Sequence, residues 1–165
     1  MSNKLILVAS LVSATLFTGS AQAVSAFASF PVSATVISSC LVTATPLAFG
    51  NYSPTDALPT DAANTVVASC TFGSAYQISA DAGGGLNATI AIRKLTGGLP
   101  VGTLNYTLYS DAGRTLVWGN TANTDTLAAI GQILPTTHNV YGRIFAGQNT
   151  TIGAYADIVN VTLDY

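Results

Sequence analysis

Residues 24–40 read VSAFASFPVSATVISSC. Every second residue from Val24 gives Val24, Ala26, Ala28, Phe30, Val32, Ala34, Val36, Ser38 and Cys40. The intervening set is Ser25, Phe27, Ser29, Pro31, Ser33, Thr35, Ile37 and Ser39. One face is apolar and the other mostly hydroxylic, the period-2 signature of a half-buried β-strand. The run is too long for one ordinary strand of about 3–10 residues. It divides into two strands in series: an apolar-striped arm over 24–31 and a body strand from Val32 to Ala44 that carries Cys40. Pro31 removes one ladder donor and marks the join.

Ahead of the arm stand Lys4, an apolar run from Leu5 to Phe17, and Ala21-Gln22-Ala23. A short positive region, an apolar core and a small-x-small site make residues 1–23 a secretory signal peptide rather than a membrane span. The mature chain then runs over 24–165 as one domain, with the arm at 24–31 and the body at 32–165. No later stretch is long and apolar enough to span a bilayer.

Without Lys4 the cations are Arg93, Lys94, Arg114 and Arg143. Four cations against seven Asp give a net charge of −3, which argues against a nucleic-acid partner. Charged residues make up 7% of the chain, against about 25% in ordinary domains. Thr, Ser, Ala, Gly, Val and Asn take their place, as suits an all-β extracellular structural protein. Cys40 and Cys70 are the two cysteines of an exported chain, where a disulfide is the default. Both keep step with the apolar face of their strands, Cys40 with Val36 and Cys70 with Val66 and Ala68. Metal binding is the competing reading, but two thiols and one His do not make a site. No metal or cofactor is expected.

Along the body, short β-like runs alternate with turn chemistry at sandwich spacing. Strands are expected over 66–72, 75–80, 88–95, 104–109, 115–118, 140–146 and 157–165. Pro46 to Asp61 reads as a loop enclosing the apolar patch Leu47-Ala48-Phe49, and 120–125 as a polar loop. Ser110-Asp111-Ala112-Gly113 is expected to close a hairpin. In the last strand Val159, Val161, Leu163 and Tyr165 face one way, and Ile158, Asn160, Thr162 and Asp164 the other.

Catalytic patterns are absent. His138 has no nucleophile or carboxylate placed beside it by sequence and reads as a residue at a strand start. The Asp residues are scattered, mostly in turns (Asp81, Asp111, Asp125), and Asp81 before Gly83-Gly84-Gly85 lacks the strand–helix setting of a phosphate loop. Five Asn-x-Ser/Thr matches, at Asn51, Asn87, Asn105, Asn149 and Asn160, arise readily in a chain this rich in Asn and Thr. Trp118 and the seven tyrosines could line a sugar site but more often pack a sandwich. The chain is therefore not read as an enzyme.

Several segments stand out together: Cys40, Thr45-Pro46-Leu47-Ala48-Phe49-Gly50-Asn51-Tyr52, Arg93-Lys94-Leu95, and Leu104-Asn105-Tyr106-Thr107-Leu108-Tyr109-Ser110-Asp111. Trp118-Gly119, Tyr141-Gly142-Arg143-Ile144, Gly147-Gln148, Tyr155-Ala156-Asp157 and Val161-Thr162-Leu163-Asp164-Tyr165 complete the set. In this order they resemble the spore coat protein U family, which includes the subunits of Csu-type (archaic) chaperone–usher pili. The resemblance spans essentially the whole mature chain. It implies an incomplete immunoglobulin-like β-sandwich that a donor strand from a neighbouring subunit completes. It also implies passage through the periplasm with a chaperone, assembly at an outer-membrane usher, and a homopolymer of identical or related subunits at the cell surface. Adhesion and biofilm formation are the roles that go with such a fibre.

In that setting Val24, Ala26, Ala28 and Phe30 form the donor strand, and Val159, Val161, Leu163 and Tyr165 offer the chaperone an edge to pair with. The alternatives are a coat protein of the same family built without an usher, and a glycan-binding surface module.

Overall fold

The protein is described here by a computed structural model covering residues 22–165. The signal-peptide reading falls largely on residues 1–21, which lie outside those described. The chain separates into two units, residues 1–35 and 36–165. Within the first, residues 22–35 form no strand, and Val24 and Phe30 are 92% and 81% exposed.

The second unit holds nine strands and, among the described residues, no helix. These are β1 (Cys40–Ala44), β2 (Thr60–Cys70), β3 (Ala75–Ala80), β4 (Arg93–Gly97), β5 (Gly102–Tyr109), β6 (Leu127–Ile130), β7 (Thr136–Ile144), β8 (Tyr155–Ala156) and β9 (Val161–Asp164). A six-stranded sheet runs β1-β2-β7-β5-β4-β8 and a three-stranded sheet runs β6-β3-β9, with every pairing antiparallel. The expected all-β sandwich is what the chain forms.

Alternation builds the core. On β2 Val66 and Ala68 are buried, on β3 Tyr76, Ile78 and Ala80, on β5 Leu104, Tyr106 and Leu108, and on β7 Val140 and Ile144. Trp118 fills the space between the sheets, 2% exposed. Its Nε1 donates to Ile78 O at 3.0 Å, so the indole carries its polar atom inside with a partner. Arg93 is also wholly buried. Its guanidinium donates to four main-chain carbonyls, of Ala80, Asp81, Ile90 and Trp118, at 2.8–3.2 Å. Burial lowers its pKa, but from so high a starting value that the group stays charged. Those four bonds tie the β3–β4 connection to the Trp118 segment.

Several boundaries differ from the expectation. The first body strand begins at Cys40, not Val32. Its partner β2 ends at Cys70, directly opposite Cys40, and the chain turns away through Gly73. Ser39 still exchanges bonds with Thr71, and Ile37 O accepts from Thr71 Oγ1 at 3.4 Å, without a strand ladder. The run expected over 115–118 makes a single bridge, Val117 to Tyr109. Asp111 curls that segment instead, accepting from the backbone N–H of Thr115 and Leu116 at 2.9 and 2.7 Å. Strand β6 was not expected at all, and β7 starts four residues earlier than its apolar run. The Cys40–Cys70 disulfide is formed and joins facing positions of β1 and β2.

Candidate functional site

Strand β9 pairs with β3 alone, and β1 with β2 alone, so each leaves one edge without a strand among the described residues. The two edges belong to different sheets and lie near one another. Between them the sandwich is open. A cavity of about 280 Å³ has the 44–49 segment on one bank and Asp157, Ile158, Val159 and Val161 on the other. Its floor is the core itself: Val66, Tyr106, Leu108, Trp118 and Val140. A second cavity of about 750 Å³ lies between the 47–54 and 150–157 segments, over Leu104 and Ile144. The two share Leu47, Phe49, Leu95 and Asp157 and so form one long cleft.

The first bank follows from local sequence. Pro46 cannot continue a ladder, and the chain leaves β1 there. Leu47 and Phe49 then turn onto the core, half-buried, with Phe49 edge-on to Tyr106 at 5.9 Å between ring centres. Gly142 makes the room: a Cβ there would lie 2.8 Å from Phe49 Cζ and 3.1 Å from Leu47 Cδ1. Tyr52 anchors the far end, its hydroxyl accepting from Gln148 N at 2.7 Å and donating to Gln148 O at 3.2 Å. The Gln148 side chain pairs with both main-chain groups of Asn105, as a neighbouring strand would.

The second bank is held by carboxylates. Asp157 accepts from Tyr106 Oη at 2.7 Å, from Gly84 N at 2.7 Å and from Ile158 N at 2.8 Å. Asp81 accepts from Asn160 Nδ2 at 2.6 Å, Asn160 N at 3.0 Å and Gly83 N at 2.9 Å. Burial works to raise the Asp81 pKa, but the bonds from Asn160 and Gly83 outweigh it and hold the carboxyl below its ordinary range. Burial first, and then the bond to Asp157, push the Tyr106 phenol far above its usual value, so it remains a donor. Segment 157–160 is thus fixed on the body before β9 begins, with its outer edge free.

Of the residues singled out in the sequence, Val159, Val161 and Leu163 are half-buried against the core, and the first two line or border the cleft. Tyr165 lies beyond β9 and is exposed, so it does not share their packing. Val24, Ala26, Ala28 and Phe30 are exposed and outside any strand. His138 is not a strand-start surface residue but lies within β7, half-buried, its Nε2 3.0 Å from Tyr76 Oη. Among the described residues no group of three His, Cys, Asp or Glu side chains converges as metal ligands would. Sequence reasoning passed over Asn64, Asp81, Gln148 and Asp157 as site residues. An Asn inside a strand of otherwise apolar alternation was the one local signal for Asn64.

Residues 26–162 match the family model described as Spore Coat Protein U domain. "Protein U" of Myxococcus xanthus is 34% identical over 128 residues, covering 72% of this chain and 71% of that protein. A chain in the crystal structure of the CsuC–CsuE chaperone–tip adhesion subunit pre-assembly complex, from archaic chaperone–usher Csu pili of Acinetobacter baumannii, shares the fold. The TM-score is 0.55 at 18% identity, covering 79% of this chain but only 40% of that one. Matched over most of its length by the family model and by a curated relative, the chain belongs to the Spore Coat Protein U domain family.

Proposed function

We propose that the chain is a structural subunit of a surface fibre, held by a periplasmic chaperone and assembled at an outer-membrane usher by donor-strand complementation. The observation that carries this reading is the open cleft between the free edge of β9 and the β1 bank, floored by core side chains. A strand laid there pairs its backbone with a free edge and sends alternate side chains onto Val66, Leu108, Trp118 and Val140. The N-terminal arm of a second copy has the matching chemistry. It alternates apolar and hydroxylic residues and carries no charged side chain, the first charged side chain after Lys4 being Asp56. A chaperone strand occupies the same cleft before assembly, with β9 as its handle. Export to the cell surface, and adhesion through the fibre, follow from that role.

The test is a transplant. Residues 24–31 joined after Tyr165 through a short flexible linker should yield a stable monomer that no longer polymerises, judged by thermal melting and size-exclusion chromatography. If a chain lacking the arm is as stable as the transplant, the fold is complete without a donor and the reading fails. The family description favours a second reading, a coat protein built without an usher. A gene cluster with neither chaperone nor usher would favour that alternative.

A further inference from the structure

The two ends of the sandwich each carry uncovered apolar side chains. At one end β2 stops at Cys70, and the 71–74 turn is tied to the loop before β7. Gly73 N donates to Gly131 O at 3.0 Å, and Gly131 N to Ser74 O at 2.7 Å. Phe72, Ile133 and Leu134 stand there, 70–85% exposed. The arm leaves the body at the same place, where Thr71 N donates to Ser39 O at 2.9 Å and Ser39 N to Thr71 Oγ1 at 3.0 Å. At the other end, beyond the Thr60–Ile144 pair, lie the β4–β5 turn and the 150–154 segment. Thr151 Oγ1 donates to Pro100 O at 2.7 Å, which brings the two together. Leu99, Val101 and Ile152 are 73–91% exposed there, and Ile152 also lines the larger cavity of the cleft. No charged side chain falls within 70–80 or 126–137 at the first end, or within 95–110 or 144–156 at the second.

We propose that these two ends meet between copies of the chain: Phe72, Ile133 and Leu134 of one pack on Leu99, Val101 and Ile152 of the next, a second contact beside the inserted arm. This rests on the donor-strand reading above. The direction of the arm follows from β9, which runs from Val161, opposite Ala80, to Asp164, opposite Gln77, and so toward the 71–74 turn. Every strand pairing in the chain is antiparallel, and an arm laid antiparallel on β9 runs the other way. Its C-terminal end then leaves the cleft at the 150–154 segment, and its body begins there. That body presents the end from which the arm springs, with Phe72, Ile133 and Leu134 around the root. A parallel arm would instead set two arm-bearing ends face to face, where each copy needs room for its own arm. A head-to-tail contact between two different surfaces is heterologous, and it extends as a filament where the rotation closes no ring. Apolar side chains scattered singly on a surface need no explanation. Two uncharged groups of three, one at the mouth of the cleft and one at the root of the arm, match in both character and place.

The experiment places charges on the two ends of the mature chain: Leu99→Glu, Ile133→Lys, the two together, and Leu99→Glu with Ile133→Glu. Each chain is assembled into fibres, and release of subunits in denaturant is followed by size-exclusion chromatography. Either single substitution should speed release about tenfold, since a charge is then buried without a partner. Leu99→Glu with Ile133→Glu should speed it further, and Leu99→Glu with Ile133→Lys should bring it back toward the parent rate. An arm peptide of residues 24–39 has no body to make the second contact. Its affinity for a chain carrying Phe30→Asp, whose own arm does not compete, should be the same with and without Leu99→Glu. Release unchanged by every substitution would overturn the contact while leaving the cleft reading intact. So would an oppositely charged pair that releases as fast as the like-charged one. Failure of the arm peptide to bind would overturn both. Should Leu99→Glu not fold, Val101→Glu, outside the cleft lining, replaces it in each combination and is read by the same outcomes.

Discussion

The hydroxyl of Tyr106, on the floor of the cleft, donates a 2.7 Å hydrogen bond to Asp157 on its bank. The bond joins β5 of the large sheet to the segment that leads into β9 of the small one. Tyr106→Phe removes one partner and leaves Asp157 two backbone donors, so the expected loss of stability is about 0.5–1.5 kcal/mol. Asp157→Ala strands the Tyr106 hydroxyl and the N–H groups of Gly84 and Ile158 together, and should cost about 1–3 kcal/mol. Denaturant unfolding of the two variants checks the order. Equal losses would mean that the backbone donors contribute nothing.

Stability should fall in two steps on acidification. Burial lowers the His138 pKa below its ordinary 6.5, so the unfolded chain takes up a proton there before the folded one does. Stability is then fully present above pH 6.5 and declines as the pH falls from that value toward the folded pKa. Asp61 is held below 3.8, chiefly by the hydrogen bonds from Arg143, with burial opposing and the charges of Arg114 and Arg143 assisting. Its contribution is present above 3.8 and is lost below it. His138→Gln keeps an acceptor for Tyr76 and should flatten the upper step alone, as followed by melting temperature against pH. An upper step that persists in His138→Gln would assign it elsewhere.

The disulfide closes a loop between residues 30 apart and fastens β1, whose continuation forms the first bank. Reduction, or replacement of both cysteines by Ala, should lower stability by roughly 3–4 kcal/mol on the chain-entropy estimate. The same change should weaken binding of the arm peptide, because an unfastened β1 holds Leu47 and Phe49 less firmly. Intact mass before and after alkylation establishes the bridge. Two alkylatable thiols in the unreduced, denatured protein would contradict it.

How much of this was legible in the sequence depends on whether the cause is local. The alternation of Tyr76, Ile78 and Ala80 and that of Leu104, Tyr106 and Leu108 mark buried faces directly. The shared parity of Cys40 and Cys70 with their apolar neighbours likewise points both thiols inward and supports the bridge, while their facing register is seen only in the fold. The start of β1 was not readable, since the stripe runs unbroken from Val24 to Val36. What ends the strand is the end of its partner at Cys70, a non-local fact. Leu127–Ile130 escaped notice because four residues, two of them Ala, carry little period. The cleft is further still from sequence, its floor coming from β2, β5, β7 and the Trp118 segment. Asp81 reads as a turn residue and Asp157 as the first residue of the last expected strand, and only the fold brings Asn160, Gly84 and Tyr106 to them.

Gly142 offers a test of the first bank. Its missing side chain is the space occupied by Phe49 and Leu47. Gly142→Ala puts a methyl 2.8 Å from Phe49 Cζ, so the 47–49 segment must shift. Overpacking of this kind typically costs about 1–3 kcal/mol. Melting temperature should fall, and affinity for the arm peptide should change with it because Leu47 and Phe49 line both halves of the cleft. Unaltered stability and binding would show that the bank moves freely and does not shape the site.

Phe30 should decide polymerisation. It is the largest side chain on the apolar stripe of the arm, and it is 81% exposed in the single chain. Fully burying such a side chain is worth about 1.5–3 kcal/mol, against roughly 0.8 kcal/mol for each Ala methyl. Val24 is the other large member, so the two supply most of what Val24, Ala26, Ala28 and Phe30 can gain together. Phe30→Asp forfeits the Phe share and adds a carboxylate that would have to be desolvated over Leu108, Trp118 and Val140, with no cation on the cleft walls to meet it. Polymers should therefore not form, while binding of a chaperone at β9, which needs no arm, continues. Removal of residues 24–29 should act in the same way. Size-exclusion chromatography of the purified variant, with co-purification of its chaperone, reads both outcomes at once. Fibres from Phe30→Asp subunits would show that the stripe is not what fills the cleft, and loss of chaperone binding would show that the arm serves an earlier step.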